Sequence, residues 1–134
     1  MPAGKTILLI DDDIDYRNSV RSLLEAEGYH VVEAGSGKEG LMRLVEHRPD
    51  AIVLDVMMES TDEGYGVAGA IKFEERFAEF RSIPMLMVSS IQETPEERFP
   101  MAPEVGMIAP DRYFRKPLDM DLFLETLRRL LREG

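Results

Sequence analysis

Residues 7–13 read ILLIDDD, four apolar residues followed at once by three aspartates, and this stretch decides the fold. The pattern returns twice, because residues 51–54 (AIVL) precede Asp55 and residues 85–88 (MLMV) precede Ser89. Each apolar run is short and continuous, which is typical of strands buried on both faces of a parallel sheet. Weaker runs at residues 31–32 and 113–114 predict two further strands.

Apolar residues at helical spacing separate these predicted strands. The predicted helices run from Asp13 or Asp15 to Gly28, from Ser36 to a point before Pro49, from about Gly66 through Phe77, and from about Asp119 onwards. The residues expected to face the core are Val20, Leu23 and Leu24 in the first helix, Leu41, Leu44 and Val45 in the second, Ala70, Ile71 and Phe77 in the third, and Phe123, Leu127, Leu130 and Leu131 in the last. Alternating strands and helices predict a single α/β domain over residues 1–134, with right-handed crossovers.

Composition narrows the classes of function. The chain has 134 residues, is 44% hydrophobic and has no cysteine, which excludes disulfides and thiolate metal sites and fits a cytoplasmic protein. The sequence shows neither an apolar stretch near the roughly 20 residues of a membrane span nor a signal peptide. The net charge of −10 argues against direct binding to nucleic acid, because an acidic domain repels phosphate backbones.

Polar side chains follow four of the five predicted strands. Ligands of open α/β sheets bind beyond the carboxyl ends of the strands, so these side chains are expected to meet at one edge. They are Asp11, Asp12 and Asp13 after the first strand, Asp55 after the third, Ser89 and Ser90 after the fourth, and Lys116 with Pro117 after the fifth. Each alone has an ordinary explanation as a cap, a turn or a surface residue. Together they supply a nucleophile, carboxylates for Mg²⁺, a hydroxyl donor and a cation, which phosphoryl transfer requires.

Four motifs in this order resemble the receiver domain of bacterial response regulators over essentially the whole chain. They are ILLIDDD, AIVLDVMM, MLMVSS and YFRKP. The resemblance implies a flavodoxin-like, five-stranded parallel sheet in the order 2-1-3-4-5, with helices on both faces. It also implies a module of a two-component phosphorelay that accepts a phosphoryl group in a Mg²⁺-dependent reaction and then switches conformation.

The resemblance assigns a role to each matching residue. Asp55 would be the phosphoacceptor, and Mg²⁺ would be held by Asp11, Asp12, Asp55 and the backbone carbonyl of Met57. Ser89 and Lys116 would stabilise the phosphoryl group, Tyr113 would be the aromatic switch residue, and the bond before Pro117 would be cis. The implied partners are a sensor histidine kinase or phosphotransfer protein, and a downstream effector or an output domain outside this chain. The family also allows a homodimer, and its members catalyse only their own phosphotransfer and dephosphorylation.

Two segments depart from the family pattern. Glu59 stands where a proline is usual, and the acidic residues 59–66 are expected to form a lengthened loop beside the pocket. Residues 91–112 contain four prolines, at positions 95, 100, 103 and 110. This segment is therefore expected to form an atypical version of the helix that precedes the fifth strand.

Other functions fit less well. A phosphatase of the haloacid-dehalogenase type places a second aspartate two residues after the nucleophile, and here that position is Met57, which has no proton to give. No glycine-rich phosphate loop follows a strand, which argues against nucleotide binding. A degenerate receiver that binds partners without phosphorylation remains the alternative, and it rests on the two unusual segments alone.

Overall fold

The computed structural model describes residues 5–55, 63–89, 112–115 and 120–133. Within these residues, five parallel strands form one sheet in the spatial order β2-β1-β3-β4-β5. The strands are β1 (Thr6–Ile10), β2 (His30–Ala34), β3 (Ala51–Asp55), β4 (Met85–Ser89) and β5 (Arg112–Arg115). The flavodoxin-like order implied by the resemblance is therefore confirmed.

In the described part of the chain, four α-helices and one 3₁₀ helix accompany the sheet. They are α1 (Ile14–Ala26), α2 (Gly37–His47), α3 (Glu63–Phe73), the 3₁₀ helix (Glu75–Phe80) and α4 (Met120–Glu133). Asp13 caps α1 and Ser36 caps α2, each accepting hydrogen bonds from backbone N–H groups of the first turn. Gly28 ends the first helix with a φ of 96°, a left-handed conformation that favours glycine.

The pleat of the strands sorts the core into two layers. Ile7 and Leu9 of β1 pack with α1 and α4 on one face, whereas Leu8 and Ile10 pack with α2, α3 and the 3₁₀ helix on the other. Successive side chains of a strand point to opposite faces, so an unbroken apolar run can serve both layers. The prediction of a parallel sheet covered on both faces is confirmed.

Gly40 brings α2 close to the sheet. A Cβ atom at this position would lie 2.5 Å from Cδ1 of Ile10, so a side chain here would require Ile10 to move. Ile10 is the last residue of β1, so this close approach lies directly before Asp11 in the chain.

Three expectations from the sequence need correction. The third helix begins at Glu63 and ends at Phe73, so residues 63–66 form its first turn and are not part of a loop. Phe77 belongs to the separate 3₁₀ helix, although it is buried as expected. Val45 is 50% exposed, because the apolar face of α2 that meets the sheet is narrower than its pattern suggests. Residues 91–111, with the predicted atypical helix, lie outside the described part of the chain.

Candidate functional site

Strand register places two aspartates side by side. Ile10 of β1 lies opposite Leu54 of β3, and Asp11 and Asp55 are the next residues along each strand path. Both carboxylates are buried, with only 2% and 3% of their surface exposed. Burying two carboxylates together is costly unless a cation or hydrogen-bond donors compensate their charge.

Asp12 completes a cluster of three carboxylates. Its side chain is exposed, and its oxygen lies within 4.8 Å of the carboxylate oxygens of Asp11 and Asp55. Within the described residues this is the group of acidic or imidazole side chains close enough to hold one metal ion. The structure therefore brings together the three carboxylates that the sequence assigned to one site.

The turn from β1 into α1 holds these carboxylates. The backbone N–H of Asp11 donates to the carbonyl of Ala34 in β2 at 3.0 Å. The Asp11 carboxylate accepts from the N–H of Asp13 at 2.9 Å. Asp13 in turn accepts from the N–H groups of Asp15 and Tyr16, both at 3.1 Å. A chain of short-range hydrogen bonds thus orients Asp11 before the first turn of α1 begins.

The other predicted site residues are described in part or not at all. Ser89 ends β4, one residue beyond Val88, which pairs with Asp55. Tyr113 pairs with Met87 in the neighbouring strand β5. The backbone therefore places Ser89 at the same edge of the sheet as Asp55, and Tyr113 two residues below Ser89. Met57, Lys116 and Pro117 lie outside the described residues.

Two residues of α1 belong to the surroundings of the site and were not foreseen. Tyr16 is half-buried; burial, followed by the negative charges of Asp11 and Asp55, raises its pKa to about 12. Arg17 donates from Nη1 to the backbone carbonyl of Asp11 at 2.6 Å and from Nε to Glu33 at 3.0 Å. One signal in the sequence could have pointed to Arg17. A positive side chain in the first turn of a helix is unfavourable beside the positive end of the helix dipole, so an arginine there suggests a compensating contact.

A cluster of carboxylates at the carboxyl end of a parallel sheet has two chemical capacities. Hard divalent cations prefer oxygen ligands, and Mg²⁺ needs only one or two carboxylates with water and phosphate oxygens. A carboxylate beside such a cation can also act as a nucleophile toward a phosphoryl group.

Among the described helices, none is both long and apolar enough to cross a membrane.

Comparison with known proteins extends these observations. Residues 7–128 match the family model of the response regulator receiver domain. The transcriptional regulator RpaA of Synechocystis is 34% identical over 126 residues, which cover 94% of this chain and 48% of RpaA. The polar-differentiation response regulator DivK of Brucella ovis is 29% identical, and the match covers 95% of this chain and 96% of DivK. The chain therefore spans about half of the first relative and nearly all of the second.

A solved structure shows the same fold. The response regulator TrrA of Thermotoga maritima, crystallised in complex with Mg²⁺-BeF, superposes with a TM-score of 0.74 at 24% identity. The superposition covers 94% of this chain and 98% of TrrA. At this level of identity the comparison supports the architecture of the sheet and helices described above.

Proposed function

The chain belongs to the response regulator receiver domain family, and from this premise we propose that Asp55 accepts a phosphoryl group in a Mg²⁺-dependent reaction. One observation supports the proposal above the others. Asp55 is a buried carboxylate at the carboxyl end of a central strand, within 4.8 Å of two further carboxylates. A fold needs no such cluster for stability, so a ligand that uses it is the better explanation.

The cluster suits Mg²⁺ by the chemistry of its donors. All three side chains offer oxygen, and the proposed ligands are Asp11, Asp12, Asp55 and the carbonyl of Met57. When bound, the ion supplies positive charge that offsets the carboxylates and polarises the phosphoryl oxygens. TrrA, a protein of the same fold, was crystallised with Mg²⁺-BeF, which accords with this proposal.

In the proposed reaction, a carboxylate oxygen of Asp55 attacks the phosphorus of the donor. A new P–O bond forms as the bond between phosphorus and the donor atom breaks, and the electron pair of that bond leaves with the donor. The product is an acyl phosphate on Asp55. Because Asp55 is only 3% exposed, the neighbouring protein limits access of bulk water to the attacking oxygen.

Ser89 and Lys116 are proposed to receive the new charge. Ser89 lies at the same edge of the sheet, and Lys116 follows β5, whose last residue pairs with Ser89. A hydroxyl donor and a cation at these strand ends would bind phosphoryl oxygens that Asp55 alone cannot stabilise. Movement of the two segments toward the phosphoryl group would then favour a second conformation near Tyr113.

The proposed partners follow from the family. A histidine kinase or phosphotransfer protein would supply the phosphoryl group in the cytoplasm, and an effector protein or output domain would read the conformation. The match covers only 48% of RpaA, so no output of that longer protein is proposed for this chain. The proposed chemistry is limited to the domain's own phosphotransfer and dephosphorylation.

The first test is the intact mass after incubation with Mg²⁺ and acetyl phosphate. We expect a gain of one phosphoryl group in the wild-type chain and none in Asp55→Asn. Asp13→Asn is the matched control, because Asp13 is a helix cap outside the metal cluster. Equal phosphorylation of Asp55→Asn and wild type would refute the assignment, and a chain that gains no mass would favour a degenerate receiver.

A further inference from the structure

We infer that Arg17 is a positioning residue for the proposed metal site, holding the Asp11 backbone so that the carboxylates of Asp11 and Asp12 stay beside Asp55. The inference rests on the proposed function, because it concerns the ligands of the same Mg²⁺ ion. Arg17 itself lies in the first turn of α1 and acts on these ligands through the backbone carbonyl of Asp11.

Hydrogen bonds to its N–H and to its carbonyl hold the backbone of Asp11. Its N–H donates to the carbonyl of Ala34 in β2 at 3.0 Å, and its carbonyl accepts from Nη1 of Arg17 at 2.6 Å. The backbone N–H of Arg17 also donates to the carbonyl of Asp13 at 2.9 Å. The bond to Asp13 is the first backbone bond of α1, whereas the bond to Asp11 is made by the arginine side chain and is specific to it.

Glu33 anchors the guanidinium of Arg17 to the sheet. Nε of Arg17 lies 3.0 Å from one carboxylate oxygen of Glu33, and Nη1 of Arg21 lies 2.7 Å from the other. Burial of the Glu33 carboxyl would raise its pKa, but the hydrogen bonds from Arg21 and Arg17 outweigh burial and hold the pKa below its usual value. The anchor is therefore ionised at neutral pH.

The shape of the guanidinium matters as well as its charge. Its Nε and Nη1 donate in two fixed directions, to Glu33 and to the Asp11 carbonyl, whereas a lysine ammonium on a flexible stem cannot reproduce this fork. The side chain of Arg17 is only 16% exposed, so the surrounding residues restrict it further.

Gly35 leaves the space in which the guanidinium lies. A Cβ atom at residue 35 would be 3.2 Å from Nη1 of Arg17, closer than ordinary van der Waals contact. A methyl group at this position would therefore press on the atom that donates to Asp11. This gives a second way to disturb the same contact without changing Arg17.

The test compares Arg17→Lys with Arg21→Lys, using isothermal titration with Mg²⁺ alone. Both variants keep their charge and weaken one hydrogen bond to Glu33, but only Arg17 also contacts Asp11. We expect Arg17→Lys to weaken Mg²⁺ binding about tenfold and Arg21→Lys by less than about twofold. With acetyl phosphate, the Mg²⁺ concentration for half-maximal phosphorylation of Arg17→Lys should rise about tenfold, and the rate at saturating Mg²⁺ should change less.

Gly35→Ala provides an independent measurement if Arg17→Lys does not fold. It should weaken Mg²⁺ binding about threefold in a folded protein, through a shift of the guanidinium. Equal Mg²⁺ affinities for the two lysine variants would overturn the inference, as would unchanged affinity in Gly35→Ala or no Mg²⁺ binding by the wild type. Failure of the proposed function is distinguishable, because a wild type that binds Mg²⁺ and gains no phosphoryl group leaves the comparison of affinities intact.

Discussion

Asp50 and Asp55 lie at opposite ends of the same strand and have different tasks. Asp50 directly precedes β3, where its carboxylate accepts from the N–H of Thr6 at 2.8 Å and its own N–H donates to the Thr6 carbonyl at 2.7 Å. Asp55 ends β3 within the cluster of three carboxylates. At the amino end an aspartate is satisfied by the backbone and joins two strands, whereas at the carboxyl end aspartates crowd together.

Strand direction explains this difference. All five strands are parallel, so every loop that leaves a strand emerges at one edge of the sheet. Side chains at the carboxyl ends of β1 and β3 meet at this edge, and there Asp11, Asp12 and Asp55 form one cluster of like charges. The role of an aspartate therefore depends on the end of the strand at which it lies.

The largest expected change in stability comes from substitution of Asp50, at the amino end of β3. Asp50→Ala should lower the free energy of unfolding by about 1–2 kcal/mol, because the Thr6 N–H loses a charged acceptor. Asp50→Asn, which keeps an acceptor oxygen, should lose less. Urea denaturation measures both, and the rate of Asp55 phosphorylation should be unchanged in each folded variant. Slow phosphorylation of a folded Asp50→Ala protein would contradict the claim that Asp50 contributes to stability alone.

Substitution of Asp55, at the carboxyl end of β3, should change the free energy of unfolding in the opposite direction. In metal-free buffer, Asp55→Asn should raise the free energy of unfolding by about 1 kcal/mol, because one of three neighbouring negative charges is removed and the shape is kept. Added Mg²⁺ should then stabilise the wild type more than the variant, through binding to the folded state. Urea denaturation in the presence of a chelator is the measurement. A lower free energy of unfolding for Asp55→Asn would show that the Asp55 carboxylate stabilises the fold, as that of Asp50 does.

The sheet and the meeting of Asp11 with Asp55 could be predicted from the sequence. Continuous apolar runs identify buried parallel strands, and a polar residue after each run then has only one edge at which to lie. These inferences use short stretches and one topological rule. They succeed because the core of this fold dictates its strands locally.

Contacts between distant residues could not be predicted. The third helix ends at Phe73, where Arg81 donates to the backbone carbonyls of Ile71 and Glu74. No pattern in the neighbouring sequence predicts that Arg81 makes these contacts. The contact of Arg17 with Glu33 likewise spans 16 residues. Val45 shows a different limit, because periodicity gives the direction of an apolar face and leaves its width open.

The smallest expected effect is a change in the titration midpoint of Tyr16, which responds to the charges of the cluster. Burial and the carboxylates of Asp11 and Asp55 raise its pKa from the ordinary 10.0 to about 12. The folded state therefore favours the neutral phenol, so this contribution to stability is complete below pH 10.0 and is lost as the pH rises toward 12. The difference in near-ultraviolet absorbance between wild type and Tyr16→Phe isolates the phenolate of this residue among the four tyrosines.

The same titration separates the two ends of β3. Asp55→Asn should shift the Tyr16 midpoint downward, because it removes one of the two carboxylates that oppose ionisation, and burial with Asp11 should keep the midpoint above 10.0. Asp50→Asn should leave the midpoint unchanged, because Asp50 lies at the opposite end of β3, about 17 Å from Asp55 at the rise of an extended chain. Equal shifts in both variants would mean that Tyr16 senses the net charge of the domain. A shift confined to Asp55→Asn would show that the field is local to the cluster.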